Sequence, residues 1–279
     1  MLNSVSAVEI LCIDEADTKD NLLRQSIVKL ESFYSSRLGL AAQAMTLRRL
    51  HTLWPHLEGL DVLGYGYALP YLEGCKKGAH RLIHAMPSEQ GAVHQINRRG
   101  NASILVGDEH LPFLPTTFDR VLVAHGLEEA SELSGVLTEL WRVMKPEGRI
   151  VIVAANRAGL WARSDKTPFG AGRPFTRTQL SKALKQAGFI PLVRSGALYC
   201  PPVKAFSGPR TSAAFESFGE TVWPGFSGLV LVEAVKRLYT GRITQEQKRV
   251  LGPNFSGALG TSSTKVYQIK NTLEHHEKN

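Results

Sequence analysis

Five consecutive residues in this chain have the types and spacing to shape a ligand site: Gly64-Tyr65-Gly66-Tyr67-Ala68, which end a short apolar run at Val62 and Leu63. Glycine is used where backbone must take unusual dihedrals or approach a partner without a Cβ in the way. Open α/β sheets bind their ligands beyond the carboxyl ends of strands, where the strand order reverses. Downstream, Asp108 follows a second apolar run, and His125-Gly126 close a third. Other polar groups do not assemble. His80 and His84 lie four residues apart in a predicted strand, about 13 Å, too far to share a metal. Asp14-Glu15 and Glu128-Glu129 read as caps or solvated faces rather than an acid/base pair, and His275-His276 as solvated. No metal site is expected.

The elements that must position these residues are legible as alternating patterns. From Asn21 to about Leu53 the apolar spacing is helical, with Gly39 predicted to break it into two helices. Candidate strands then fall at 60–64, 81–86, 102–106, 119–124 and 148–154, with helical patterns near 69–77, 87–98, 130–144 and 176–187. Such alternation argues for βαβ units in a mostly parallel sheet. Two later runs, Phe189 to Val193 and Leu229 to Ala234, have no obvious crossover helix between them and suggest an antiparallel edge. Residues 158–174 form a long Gly/Pro-rich connection, and Thr176 or Thr178 is expected to cap the helix after it. In that loop Arg163, beside Trp161, reads as an exposed arginine, with an anion-holding gate as the alternative.

Composition sets the outer bounds. The 279 residues are 43% hydrophobic, enough for one domain with a sizeable core. No run approaches the ~20 apolar residues needed to span a bilayer. The first residues lack a basic n-region, and Cys12, Cys75 and Cys200 are scattered, so a reducing cytoplasm is the expected location. The net charge of +8 is compatible with a polyanion partner or with a solvated basic surface. Domain boundaries are expected at an extension over 1–20, a domain over 21–240, and a mobile basic tail over 241–279.

Taken in order, Val62-Leu-Gly-Tyr-Gly-Tyr-Ala68, Gly107-Asp-Glu-His-Leu-Pro-Phe113, Phe118-Asp119, His125-Gly-Leu-Glu128 and Leu140-Trp-Arg-Val-Met-Lys-Pro-Glu-Gly148 resemble the class I S-adenosylmethionine-dependent methyltransferases. The resemblance covers about residues 60–190. It implies a Rossmann-like α/β fold, a seven-stranded mostly parallel sheet with an antiparallel last strand, and S-adenosylmethionine as cofactor. Carried over by residue, Gly64, Tyr65, Gly66, Tyr67 and Ala68 would line the methionine and ribose of the cofactor. Asp108, Glu109 and Leu111 would sit beside the adenine, and His125 and Gly126 would face the sulfonium. Phe33 to Gly39, with Tyr34 among them, resemble the helical lid of the family, although core packing is the commoner role for Tyr34.

The sequence departs from the family pattern at three places. Val62 stands where the family has an acid, with Asp61 one position early. Ala68 replaces the third glycine. Ala85-Met86-Pro87 replaces the ribose-binding acid, which leaves Glu89 as the nearest carboxylate unless it serves a helix N-terminus instead. A lost carboxylate–diol contact costs about 1.5–3 kcal/mol per hydrogen bond. The leading expectation is methyl transfer to an unidentified acceptor, small or macromolecular, with no catalytic base named. The alternative is a non-catalytic methyltransferase-like module that binds a partner or RNA, gripping nucleic acid through tail cations such as Lys236, Arg237, Arg242 and Lys248.

Overall fold

In the computed structural model, residues 24–75, 78–93, 96–97, 100–203 and 209–238 are described. Asp14-Glu15, His275-His276, the extension over 1–20 and the tail over 241–279 lie outside them. Seven strands form one sheet: β1 (Asp61–Gly66), β2 (Arg81–Pro87), β3 (Ser103–Val106), β4 (Phe118–Ala124), β5 (Met144–Ala155), β6 (Phe189–Ala197) and β7 (Leu229–Lys236). Their spatial order is β3-β2-β1-β4-β5-β7-β6. The pairs from β3 through β5 are parallel, and β7 runs antiparallel to both β5 and β6. The order therefore reverses between β1 and β4.

Alternation along the strands builds two cores, one on each face. In β5, Ile150, Ile152 and Ala154 pack on one side, while Val151, Val153 and Ala155 pack on the other. β7 divides in the same way, with Leu229 and Leu231 opposite Val230, Val232 and Ala234. A strand buried on both faces needs a continuous apolar run, and this is why these segments read so plainly. Helices α1 (Ile27–Ser35), α2 (Arg37–Leu53) and the short α3 (Leu69–Leu72) supply residues to the first core. Helices α4 (Leu133–Val143) and α5 (Arg177–Gln186) supply the second, and α6 (Pro209–Val222) lies against α2.

Four expectations about elements are corrected. The first helical stretch breaks at Ser36, not Gly39. Ser36 is extended, and its hydroxyl accepts from Gly39 N at 3.0 Å as the cap of α2. Gly39 lies inside α2 because a Cβ there would meet Phe33 O at 1.9 Å, where the end of α1 crowds the new turn. Among the described residues of 87–98 no helix forms: a turn after Pro87, with Gly91 at φ +87°, comes before a two-residue antiparallel pairing of Ile96–Asn97 with Gly100–Asn101. The β6–β7 connection contains α6, whose pattern the loop-rich sequence concealed. Lys236 ends β7 instead of opening a tail. Its ammonium donates to Trp141 O at 2.8 Å and Met144 O at 2.7 Å, which satisfies carbonyls at the end of α4. The expected cap at Thr176 is present, as a capping box with Gln179.

Candidate functional site

The site gathers at the carboxyl edge of the sheet, beside the reversal between β1 and β4. β1 ends in Gly66 with φ +75°, and the next amide, Tyr67 N, donates to Ala124 O at 2.8 Å. A Cβ on Gly66 would stand 2.4 Å from Ala124 O and 2.8 Å from Gly126 Cα. Glycine is thus required here by the close approach of β1 to the end of β4 within the fold itself. Gly64 is crowded in the same way, by Ala68, His84 and Leu72. Tyr65, Tyr67, Ala68 and Met86 are all buried.

Past β3, Asp108 holds two partners. Tyr65 O–H donates to its Oδ1 at 3.0 Å, and the Arg24 guanidinium binds its Oδ2. Arg24 has a side chain only 1% exposed, approaches Glu89 at 3.8 Å and reaches Gly126 O at 3.4 Å. The segment that carries it is tied across the strand ends: Gln25 N donates to Glu129 Oε2 at 2.7 Å and Ile27 N to Gln90 O at 2.8 Å. Gln90 in turn donates through Nε2 to His125 O at 2.9 Å. Outside this strap a groove of about 290 Å³ opens, lined by Ser88, Glu89, Gly107, Asp108, Glu109 and His110. Glu89 sits on the rim, in a turn with no helix N-terminus to serve. Leu111 is buried behind it, its amide donating to Glu139 at 2.9 Å.

The other half is aromatic and closed. Tyr34 Oη lies 2.6 Å from Tyr71 Oη and 2.8 Å from His125 Nε2. The His125 ring lies 4.9 Å from that of Phe169, and Tyr67 and Phe33 complete the cluster. His125 has φ +50°, a conformation that L side chains rarely take and that concentrates at functional sites. Burial pushes its imidazole down to about 3, so the ring is neutral at physiological pH. Burial also raises the Tyr34 hydroxyl well above its ordinary value, with Tyr71 adding to the effect. Glu128 corrects its surface reading. It is buried, its Oε1 accepts from Ala155 N at 3.0 Å, and burial raises its carboxyl. Among the described residues its Oε2 and Gln90 Oε1 have no hydrogen-bond partner, and both residues border a void of about 10 Å³, room for roughly one water. Among the described residues no group of His, Cys, Asp and Glu is arranged to hold a metal.

Gly64 to Ala68, Met86, Glu89, Asp108, Glu109, Leu111, His125 and Gly126 all lie at or just past this edge, and the structure adds Arg24, Gln25 and Gln90 and moves Glu128 from the surface to the interior. Nothing in the local pattern marked Arg24, Gln25 and Gln90, because each acts through contacts more than 30 residues away, while Glu128 read as a cap or solvated face. Arg163 is exposed, as read.

Residues 60–152 match the family described as "Methyltransferase domain". That stretch is about a third of the chain. The demethylmenaquinone methyltransferase of Lactiplantibacillus plantarum is 31% identical over 98 residues, which is 35% of each chain. That of Halalkalibacterium halodurans is 28% identical over 139 residues, 50% of this chain and 49% of the relative. The chain therefore spans between a third and a half of these curated relatives. A methyltransferase structure from Thermotoga maritima superposes with a TM-score of 0.58 at 18% identity, covering 77% of this chain and 98% of that one. One from Archaeoglobus fulgidus gives 0.51 at 17%, covering 75% and 98%. These structural likenesses show the fold.

S-adenosylmethionine is the cofactor that the methyltransferase family implies. The edge suits it: three carboxylates at the groove and, among the described residues, two unpartnered acceptor oxygens inside match a ligand rich in N–H and O–H groups and carrying positive charge. A Cβ built on Gly107 meets nothing within 4 Å, so the groove has bare backbone on that side. One element stands in the way, since Arg24 already engages the carboxylate of Asp108.

Proposed function

We propose that the methyltransferase domain transfers the methyl group of S-adenosylmethionine to a ring carbon of a quinone-type acceptor. The observation that carries this reading is the pairing, at one strand edge, of an open carboxylate-rimmed groove with a closed aromatic cluster. In this reading Glu89, Asp108, Glu109 and Leu111 hold the adenosine, with Gly64 to Ala68, Met86 and Gly126 forming the floor. Gln90 and Glu128 accept from the amino-acid end. Tyr34, His125 and Phe169 border the acceptor ring, and aromatic edges and faces suit a flat partner. The activity of the relatives, on demethylmenaquinone, supports the acceptor class. Bound S-adenosylmethionine would supply an activated methyl group for in-line displacement. The residues above would contribute placement, which can lower a barrier by several kcal/mol, and exclusion of water.

Calorimetric titration with S-adenosylmethionine, followed by methyl transfer to a reduced demethylated naphthoquinone, tests the proposal. Binding with transfer is expected, and absence of heat would end it. One observation favours a second reading. The carboxylate of Asp108 is already satisfied internally, as suits a domain that keeps the fold without the cofactor and serves a partner or RNA. Loss of RNA retention on deleting residues 241–279, with no cofactor binding by either form, would select that alternative.

A further inference from the structure

The side of the molecule next to the candidate site carries an apolar ridge that no element among the described residues covers. It runs along the end of α6 and the turn before β7: Phe218, Val222, Trp223 and Phe226 are exposed by 55, 45, 59 and 64%. The Phe218 and Trp223 rings are in edge contact, 6.0 Å between centroids, and Phe226 N donates to Trp223 O at 3.0 Å. Leu160, 52% exposed, joins the ridge from the loop after β5: Asn156 Nδ2 donates to Gly225 O at 3.1 Å and to Ser227 O at 2.7 Å. Burying these groups in water-free surroundings would be favourable at roughly 25 cal/mol per Å², so their exposure calls for an occupant.

The charge beside the ridge indicates which occupant. The loop over 156–176 bears exposed Arg157, Arg163, Lys166 and Arg173 against one acid, Asp165. Arg177 reaches Ser227 Oγ at 3.4 Å on the same flank. Glu220, the acid on this part of α6, is already paired with Arg48 and Arg49. Large aromatic and aliphatic side chains bordered by cations match the boundary between headgroups and acyl chains of an anionic bilayer. A nucleic acid would use the cations but leave Val222 and Leu160 without a role. β5 ends and β7 begins at this edge, so a surface seated here faces the same side as the candidate site.

We propose that this ridge and its cationic loop dock the protein reversibly on an anionic lipid bilayer. The inference rests on the ridge and does not depend on the quinone reading. Among the described residues no helix is long and apolar enough to cross a membrane, so docking would be superficial. The test uses the full chain with vesicles of phosphatidylcholine, alone or with about a third phosphatidylglycerol. Co-sedimentation with the anionic vesicles is expected, weakening as salt rises, together with a blue shift of tryptophan emission. That shift reports Trp223, because Trp54 and Trp161 are buried and Trp141 is partly buried. The double variant Trp223→Ala/Phe226→Ala should lose at least tenfold in vesicle affinity while its melting temperature and S-adenosylmethionine titration stay those of the parent. Equal binding by parent and variant would overturn the proposal, leaving only charge attraction. So would absence of binding, or burial of Trp223 in a dimer detected by sedimentation velocity without lipid.

Discussion

The two edges of the sheet are built on opposite principles. At the amino edge, the strand-start carboxylates are matched. Asp61, at the start of β1, accepts from His80 at 2.8 Å, from Arg81 at 3.3 Å and from Lys145 at 3.0 Å. Lys145 also binds Asp119 at 2.8 Å, and Asp119 accepts from Asp61 N at 3.0 Å. Although burial opposes it, the hydrogen bonds from His80 and Lys145 hold the Asp61 carboxyl below its ordinary value. At the carboxyl edge the accounts stay open: a buried arginine borrowed from outside the sheet, two acceptors with no donor among the described residues, and a histidine in a left-handed conformation. Native folds leave buried polar groups unmatched at few places, and such places invite a ligand. The contrast assigns stability to one edge and recognition to the other.

The sharpest way to break this division is Gly66→Val, because it strikes the fold within the recognition edge. A left-handed valine costs about 1–2 kcal/mol and overpacking about 1–3 more. A loss of about 3 kcal/mol in urea unfolding is expected, and cofactor binding should fall with the folded fraction. A variant of parental stability would show that the β1–β4 approach is looser than the 2.4 Å contact implies.

Arg24→Ala should separate stability from binding. Removing one partner of a buried pair costs about 3–5 kcal/mol, and the neighbouring groove softens this to about 2 kcal/mol. At the same time affinity for S-adenosylmethionine should rise, since Asp108 loses its internal partner. Thermal melting and calorimetry read the two signs, and a parallel fall in both would deny Arg24 any competing role.

Lys145→Met addresses the other edge. With Asp61 and Asp119 left facing each other, and the lysine about a third exposed, a loss of about 1 kcal/mol is expected. Cofactor titration should be unchanged. A change there would mean that the edges communicate.

A further test is a pH slope. The folded imidazole of His125 is held below its unfolded value, so between the two the unfolded chain binds more protons and stability rises with pH. Denaturation midpoints should therefore fall as pH drops from 7 towards 5. His125→Asn, which tolerates the left-handed backbone, should flatten part of that slope. An unaltered slope would show a hydrated, freely titrating ring.

The sheet was legible in the sequence because its strands are buried on both faces, so Val62-Leu63 and Ile150 to Val153 announce themselves without partners. What failed were elements decided by long-range contact. Gly39 signals a break by propensity, yet the neighbouring turn at Phe33 makes it an interior residue. The region after Pro87 carries a helical pattern that loses to Gly91 and to the hydrogen bonds drawing Gln90 towards Ile27 and His125. Asp61 looked like a misplaced cofactor acid, and the ion pairs of the amino edge account for it. Glu128 illustrates the limit for the site: a surface-type residue in local pattern, it is buried only because Ala155 N and the loop at Arg173 come to meet it.

The reversal of the last strand also governs how the protein can be handled. β7 enters at Leu229 on the carboxyl edge and leaves at Lys236, seven residues later and roughly 23 Å away at about 3.3 Å per residue. Lys236 is clamped there by two carbonyls and stacked 3.9 Å from the Trp141 ring. Anything attached beyond it, whether a purification handle, a fluorophore or a fused domain, starts from the ion-paired edge. The clamp at Lys236 would keep a pull on such an attachment from being felt at the groove.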